Sequence, residues 1–254
     1  MGPVEKKLRD QISKYGTICL GLVDSENTNV EDAIKISLLC EQAGCSGVLV
    51  GGSTAVDQIY LDLIIKNIKK KVKIPIILFP SNISGIAPNA DAILFSSLIN
   101  SDNPYFIVQA QALGTLLIKK YNLEAIPLAY IIIGEGGTAG FIGRARGIPP
   151  DKPDIANMYA LAAQYMGMRF VYLEAGSGMI SHLPLEMISH VKRNTNMILI
   201  VGGGIKNPKD ATKIAQAGAD IIIIGTLLEK KGSENAFIKL VQSIKKTKKD
   251  KFVM

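Results

Sequence analysis

At 254 residues the chain suits one large domain or two small ones, and single α/β barrels commonly have this length. It is 48 % hydrophobic and 20 % charged, an ordinary globular balance, and no apolar run reaches the roughly 18 residues of a membrane span. The formal charge of +7 does not point to nucleic acid: net +6 lies from Lys230 onward, and residues 1–229 carry only about +1. A Lys-rich terminal helix and tail over about 232–254 reads as a solvated face, or as a contact with acidic lipid.

The opening MGPVEKKLRD lacks a signal peptide's apolar segment, so a cytoplasmic protein is expected. The first apolar, β-branched run is TICLGLV (17–23), which ends at Asp24 of LVDSEN. An amphipathic stretch, VEDAIKISLLCEQAG (30–44), leads to the second run, GVLVGG (47–52), followed by Ser53 and Thr54. IPIILFP (74–80) and DAILFSS (91–97) are separated only by PSNISGIAPNA, which holds two prolines and a glycine and is too short for a covering helix. A gap in the outer layer there offers a groove for a long apolar ligand, unless the loop itself packs over it. IPLAYIIIG (126–134) is the fifth run and opens into GEGGTAGFIGRARGIPP (134–150). Five glycines in the first ten residues of that segment predict mobility, and Arg144 and Arg146 add two guanidinium groups. It reads as a basic lid over an anionic substrate, or as a plain surface loop.

RFVYLEAG (169–176) and MILIVGG (197–203) are the sixth and seventh runs. NPKDATKIAQAGA (207–219) has Asn207 as an N-cap, Pro208 at the first helical position and Gly218 near its end. DIIIIGT (220–226) is the eighth. Near-continuous apolarity fits strands buried on both faces, and alternation with amphipathic stretches predicts βα units. Eight units predict a TIM-type (β/α)8 barrel, one domain over 1–254, with the helix after strand three missing or replaced by a loop. AGCSGVLVGGST (43–54) and AGADIIIIGTLL (217–228) echo one another as duplicated units would. The three cysteines (Cys19, Cys40, Cys45) have no metal-ligand spacing and read as small buried thiols. Two histidines, His182 and His190, leave zinc sites and Ser–His triads poorly supplied.

Barrel chemistry gathers at the carboxyl ends of strands. The glycines there, Gly203 and Gly204 after strand seven and Gly225 with Thr226 after strand eight, read as a backbone cradle for phosphate or as tight turns. Asp24 and Ser53, at neighbouring strand ends, are either helix caps or a magnesium site, since Mg2+ needs only one or two protein oxygens when phosphate and water complete its shell. Glu174 shares a strand face with Tyr172, opposite Val171 and Leu173. If the aliphatic pair faces the helices, the carboxylate enters the barrel mouth, where it would hold or deprotonate a hydroxyl; otherwise it is a salt-bridge partner.

YLEAGSG, VGGGI, IIIIGT, LVDSEN and VGGST together resemble the geranylgeranylglyceryl phosphate synthase family, over nearly the whole chain. YLEAGSG ahead of VGGGI is the specific part. The short third connection agrees, and EGGTAGFIGRARGIP is similar to the loop of the family's larger, mostly archaeal group. Ser25 stands where many relatives have proline. The resemblance implies transfer of a prenyl group from geranylgeranyl diphosphate to the 3-hydroxyl of sn-glycerol 1-phosphate, with Mg2+ at Asp24 and Ser53. It implies a glycerol phosphate site of Tyr172, Leu173, Glu174, Ala175, Gly176, Ser177, Gly178, Gly203, Gly204, Gly225 and Thr226, and Glu174 as the base. Arg144 and Arg146 are the weakest assignment, to the diphosphate. A homo-oligomer is expected. The alternatives are a heptaprenyl donor, a sugar-phosphate isomerase or lyase barrel, and a non-catalytic polyanion binder.

Overall fold

The computed structural model describes residues 1–54, 57–179 and 181–247. Eight parallel strands close into a barrel in sequence order: β1 (Ile18–Asp24), β2 (Gly47–Gly51), β3 (Ile76–Leu78), β4 (Ala92–Leu98), β5 (Glu124–Ile132), β6 (Phe170–Glu174), β7 (Ile198–Gly202) and β8 (Ile221–Ile224). Each falls on an expected apolar run. Alternate residues enter two cores. Ile18, Leu20, Leu49, Ile126, Leu128, Phe170 and Ile200 fill the interior, while Cys19, Val48, Val171, Leu173 and Val201 pack outward against helices. Each fully buried aliphatic side chain contributes about 1.5–3 kcal/mol, so this double burial explains the unbroken apolar runs.

One element is absent from the sequence reading. α1 (Pro3–Tyr15) closes the amino-terminal mouth of the barrel, with Val4 and Leu8 in the interior core. The Glu124 carboxylate at the start of β5 accepts the Val4 and Glu5 amides at 2.6 and 2.9 Å, capping the helix. Glu5 is wholly buried and pairs with Arg169, just ahead of β6, at 2.7 Å and with Arg9 at 2.9 Å. The open mouth is therefore the carboxyl-terminal one.

The outer layer continues with α2 (Val30–Ala43) and α3 (Gln58–Lys69). Between β3 and β4 there is only a single 3-10 turn, Ile83–Gly85, so the covering helix is missing as expected. Ile86, Ala87 and Ala90 of this segment are buried in the outer core. Both readings of the gap thus hold in part: the loop fills it, and a groove remains beside it. A π-helical turn, Tyr105–Gln109, leads into α4 (Ala110–Lys120) along the other edge of that groove.

After β5 the glycine-rich segment is folded rather than open. It contains α5 (Gly137–Ile142), and Asn100 and Ser101 beyond β4 hold its backbone. Asn100 Nδ2 donates to the Ile132 and Arg146 carbonyls at 2.9 and 3.0 Å, and Ser101 Oγ to the Gly143 carbonyl at 2.6 Å. α6 (Pro153–Tyr165), α7 (Leu185–Asn194), α8 (Pro208–Gln216), α9 (Thr226–Glu229) and α10 (Glu234–Lys246) complete the layer. Asn207 caps α8 as expected, accepting the Asp210 amide at 3.0 Å. α10 is no mere solvated tail: Phe237, Leu240, Val241 and Ile244 are fully buried. Residues 248–254 of the expected Lys-rich tail lie outside the described residues. All three cysteines are free and buried. Among the described residues, no helix is long and apolar enough to cross a membrane.

Candidate active site

β6 carries the acid into the open mouth. Val171 and Leu173 belong to the outer core and Phe170 and Tyr172 to the interior one, so Glu174 stands on the interior side at the strand's end. Its Oε1 accepts the Gly176 amide at 2.6 Å. Burial raises the Glu174 pKa above the ordinary glutamate value, against hydrogen bonds from the Tyr172 phenol and the Gly176 amide that pull it down. Burial, assisted by the Glu174 charge, pushes the Tyr130 and Tyr172 phenols well above their usual range, so both remain neutral donors. The Tyr130 and Tyr172 ring centroids lie 5.2 Å apart, with Phe79 5.5 Å from the first and 5.8 Å from the second.

A glycine-lined chamber opens beside this carboxylate. Tyr172 and Glu174 line it with Ser177 and Gly178 from the turn after β6. Gly203 and Gly204 line it after β7, and Gly225 and Thr226 after β8. Gly203 cannot be otherwise: its φ is +87°, and a Cβ would lie 2.7 Å from both Glu174 Oε1 and the Gly176 carbonyl. Three of the expected substrate residues do not line the chamber. Leu173 is buried on the helix side, Ala175 is buried, and Gly176 acts through its amide on Glu174. Lys206 and Lys230 do line it and were missed. Lys206 follows VGGGI directly, and that adjacency of a cation to the glycines was the available signal.

A second chamber, mainly apolar, runs from the same mouth into the gap after β3. Phe79, Ile83, Ile86, Phe106, Gly114 and Ile118 line its length, and Asp24 and Ser53 stand on its rim. Leu22, Ser177 and Gly225 border both chambers, so the two adjoin. Neither Arg144 nor Arg146 lines either one. Arg144 turns instead to Asp102 at 3.1 Å.

Asp24 and Ser53 are not helix caps, because Asn29 caps α2 and Asp57 caps α3. Asp24 accepts the Glu26 amide and the Asn27 side chain, each at 2.9 Å. Glu26 in turn accepts from the Thr54 amide and hydroxyl, tying together the loops after β1 and β2. Glu229 lines the same rim, and its pKa is raised by burial and then by the Asp24 charge. Among the described residues, no cation forms an ion pair with Asp24, Glu26 or Glu229. That anionic corner suits a divalent cation shared with a ligand. No group of three His, Cys, Asp or Glu among the described residues could hold a metal alone.

The molecule is thus a closed (β/α)8 barrel whose open mouth joins a glycine-lined chamber, holding one buried acid, to a mainly apolar chamber. The PcrB family model matches residues 11–247, and the chain belongs to that family. It is 53 % identical over 245 residues to geranylgeranylglyceryl phosphate synthase of Nitrosopumilus maritimus (strain SCM1), covering 96 % of this chain and 98 % of that one. It is 50 % identical over 244 residues to the protein of the same name in Cenarchaeum symbiosum (strain A), covering 96 % and 99 %. The crystal structure of (S)-3-O-geranylgeranylglyceryl phosphate synthase from Thermoplasma acidophilum in complex with substrate sn-glycerol-1-phosphate superposes with a TM-score of 0.91 at 38 % identity. That match covers 96 % of this chain and 99 % of the other.

Proposed function

We propose that the protein transfers the geranylgeranyl group of geranylgeranyl diphosphate to the 3-hydroxyl of sn-glycerol 1-phosphate, releasing diphosphate and forming the first ether bond of an archaeal membrane lipid. The observation that carries this is the shared border of the two chambers: one suits a phosphorylated polyol, the other a long hydrocarbon, and Glu174 and Asp24 flank the junction. A sugar-phosphate isomerase would have no use for the apolar chamber.

The chain's residues divide the work. Backbone amides at Gly178, Gly204 and Gly225 hold the phosphate, with Lys206 and Lys230 as counter-charges. Glu174 accepts a hydrogen bond from the 3-hydroxyl and takes its proton as the oxygen attacks the first carbon of the donor. The new carbon–oxygen bond forms as the bond to diphosphate breaks, and the leaving group departs as an anion. Asp24 and Ser53 would hold Mg2+, which supplies neutralisation of the diphosphate charge. The Phe79, Tyr130 and Tyr172 rings pack together at the mouth, and a face turned to the donor's first carbon would favour its allylic cation character. Juxtaposition of the two ligands supplies effective concentration.

The setting is the cytoplasm, supported by three unpaired cysteines. The assembly is a homo-oligomer, supported by Met158, Tyr165 and Met166, which stand exposed on and just beyond α6. The test is incorporation of labelled glycerol phosphate into a prenyl ether with geranylgeranyl and heptaprenyl donors, with and without EDTA. Metal-dependent product from the shorter donor is expected. Full turnover in EDTA would remove Mg2+ from the account, and preference for the longer donor would replace the substrate.

A further inference from the structure

The two helices that flank the missing one present matching outer stripes. One exposed stripe along α3 and its C-cap runs Ile59, Leu63, Lys66 and Lys70, and one along α4 runs Leu113, Leu116 and Lys120. Ile59 is 86 % exposed, Leu63 47 %, Leu113 62 % and Leu116 77 %. The helices run in the same direction, so the apolar residues gather toward the open mouth and the lysines toward the closed end. Val108, exposed directly ahead of α4, extends the apolar part. The lysine part is dense: residues 66–73 contain five lysines and no acid, and α4 ends in Lys119 and Lys120. Lys66 pairs with Asp62 and Lys69 with Asp91, while Lys70, Lys71, Lys73, Lys119 and Lys120 form no ion pair among the described residues.

We infer that this α3–α4 face docks on an anionic lipid surface, apolar residues in the interface and lysines on the headgroups. Charge decides between occupants. A second copy of the chain would bring the same lysines, and the face offers it few carboxylates: α4 has none, Asp62 pairs with Lys66, and Asp57 at the head of α3 caps that helix. Anionic headgroups complement the lysines, each such contact favouring binding by roughly 1 kcal/mol near the surface. Leucine and isoleucine above a basic face are the composition of an interfacial element. The apolar chamber opens along α4 at Gly114 and Ile118, against residues 80–86, the segment that lies between the two helices. A long-chain diphosphate partitions into bilayers, so docking here presents the groove to the phase that holds the donor. That last step rests on the proposed donor; the lipid contact does not.

The test is co-sedimentation of the full chain with phosphatidylcholine–phosphatidylglycerol vesicles against pure phosphatidylcholine, without any donor. Binding to the anionic vesicles only, weakened by high salt, is expected. Leu113→Ser with Leu116→Ser should weaken vesicle binding by at least about tenfold, a floor for two leucines that the interface buries only in part. Lys70→Glu with Lys71→Glu should remove the preference for phosphatidylglycerol. Both double variants should melt near wild type and turn over soluble geranyl diphosphate at the wild-type rate. Absence of wild-type binding would overturn the inference, as would variants that bind like wild type. A leucine variant that changes only the sedimenting mass of the protein would show instead that the face joins copies. Vesicle binding without prenyl transfer would retain the lipid contact and remove the proposed reaction.

Discussion

Replacing Glu174 by Gln removes one negative charge and almost no volume. The glutamine oxygen can still accept the Gly176 amide, now 2.6 Å from Oε1, but the amide nitrogen cannot accept a proton from a glycerol hydroxyl. General-base removal costs about 10²–10⁴-fold, equivalent to about 2.7–5.4 kcal/mol on the barrel's chemical step. Stability should move the other way. Burial lifts the Glu174 pKa, so its charged form is worse placed in the folded than in the unfolded protein. Its contribution to stability is then largest below its unfolded pKa and declines as pH rises to the folded value, the reverse of a salt-bridged acid. At neutral pH the variant should melt no lower than wild type. Steady-state turnover with labelled glycerol phosphate and geranylgeranyl diphosphate, alongside a thermal melt, is the assay. The expected result is a kcat loss of at least about 100-fold with Tm unchanged or slightly raised. In wild type the acid limb of kcat/KM against pH should lie above the ordinary glutamate value, and the variant should lack it. Near-normal turnover would refute the reasoning and leave Glu174 a structural group.

Gly203→Ala should raise KM for glycerol phosphate and lower Tm, because its Cβ meets Glu174 and the Gly176 carbonyl at a φ of +87°; an unchanged KM would detach this glycine from the cradle. Gly114→Leu should favour farnesyl over geranylgeranyl diphosphate, since even a Cβ there lies 2.7 Å from the end of Ile86 inside the apolar chamber; competition between the two donors reads it directly. Glu5→Gln should cost roughly 1–3 kcal/mol of stability, discounted because both arginine partners are partly exposed, and leave kcat intact. Burial opposes the Glu5 charge, but the Arg169 and Arg9 guanidiniums outweigh it and hold the pKa below the usual range. That stability is therefore present above the ordinary glutamate pKa and is lost as pH falls through the depressed folded value, which urea titrations across acid pH would show.

The barrel was legible because its strands are buried on both faces, which writes them as eight apolar runs with no polar alternation to decode. The face of Tyr172 and Glu174 followed from period two alone, and the gap after β3 from chain length. What escaped depends on contacts far apart in sequence. α1 shows Val4, Leu8 and Ile12 at helical spacing, but nothing local says that they close a barrel, and Glu5 meets Arg169 across 164 positions. The glycine-rich segment after β5 looked open because the groups that hold it, Asn100 and Ser101, sit beyond β4. Arg144 looked aimed at a diphosphate because its partner Asp102 belongs to that same distant loop. Leu173 entered the substrate set through its motif, although the alternation that places Glu174 inward places Leu173 outward. α10 was read by its lysines, while its buried face of Phe237, Leu240, Val241 and Ile244 carries the packing.

The most direct measurement is a crystal structure with sn-glycerol 1-phosphate and an unreactive geranylgeranyl diphosphate analogue bound together. Phosphate is expected among Gly178, Gly204 and Gly225, the 3-hydroxyl within hydrogen-bond reach of Glu174, and the hydrocarbon along Ile86, Gly114 and Ile118. A hydrocarbon bound outside the groove, or a glycerol hydroxyl pointing away from Glu174, would contradict it.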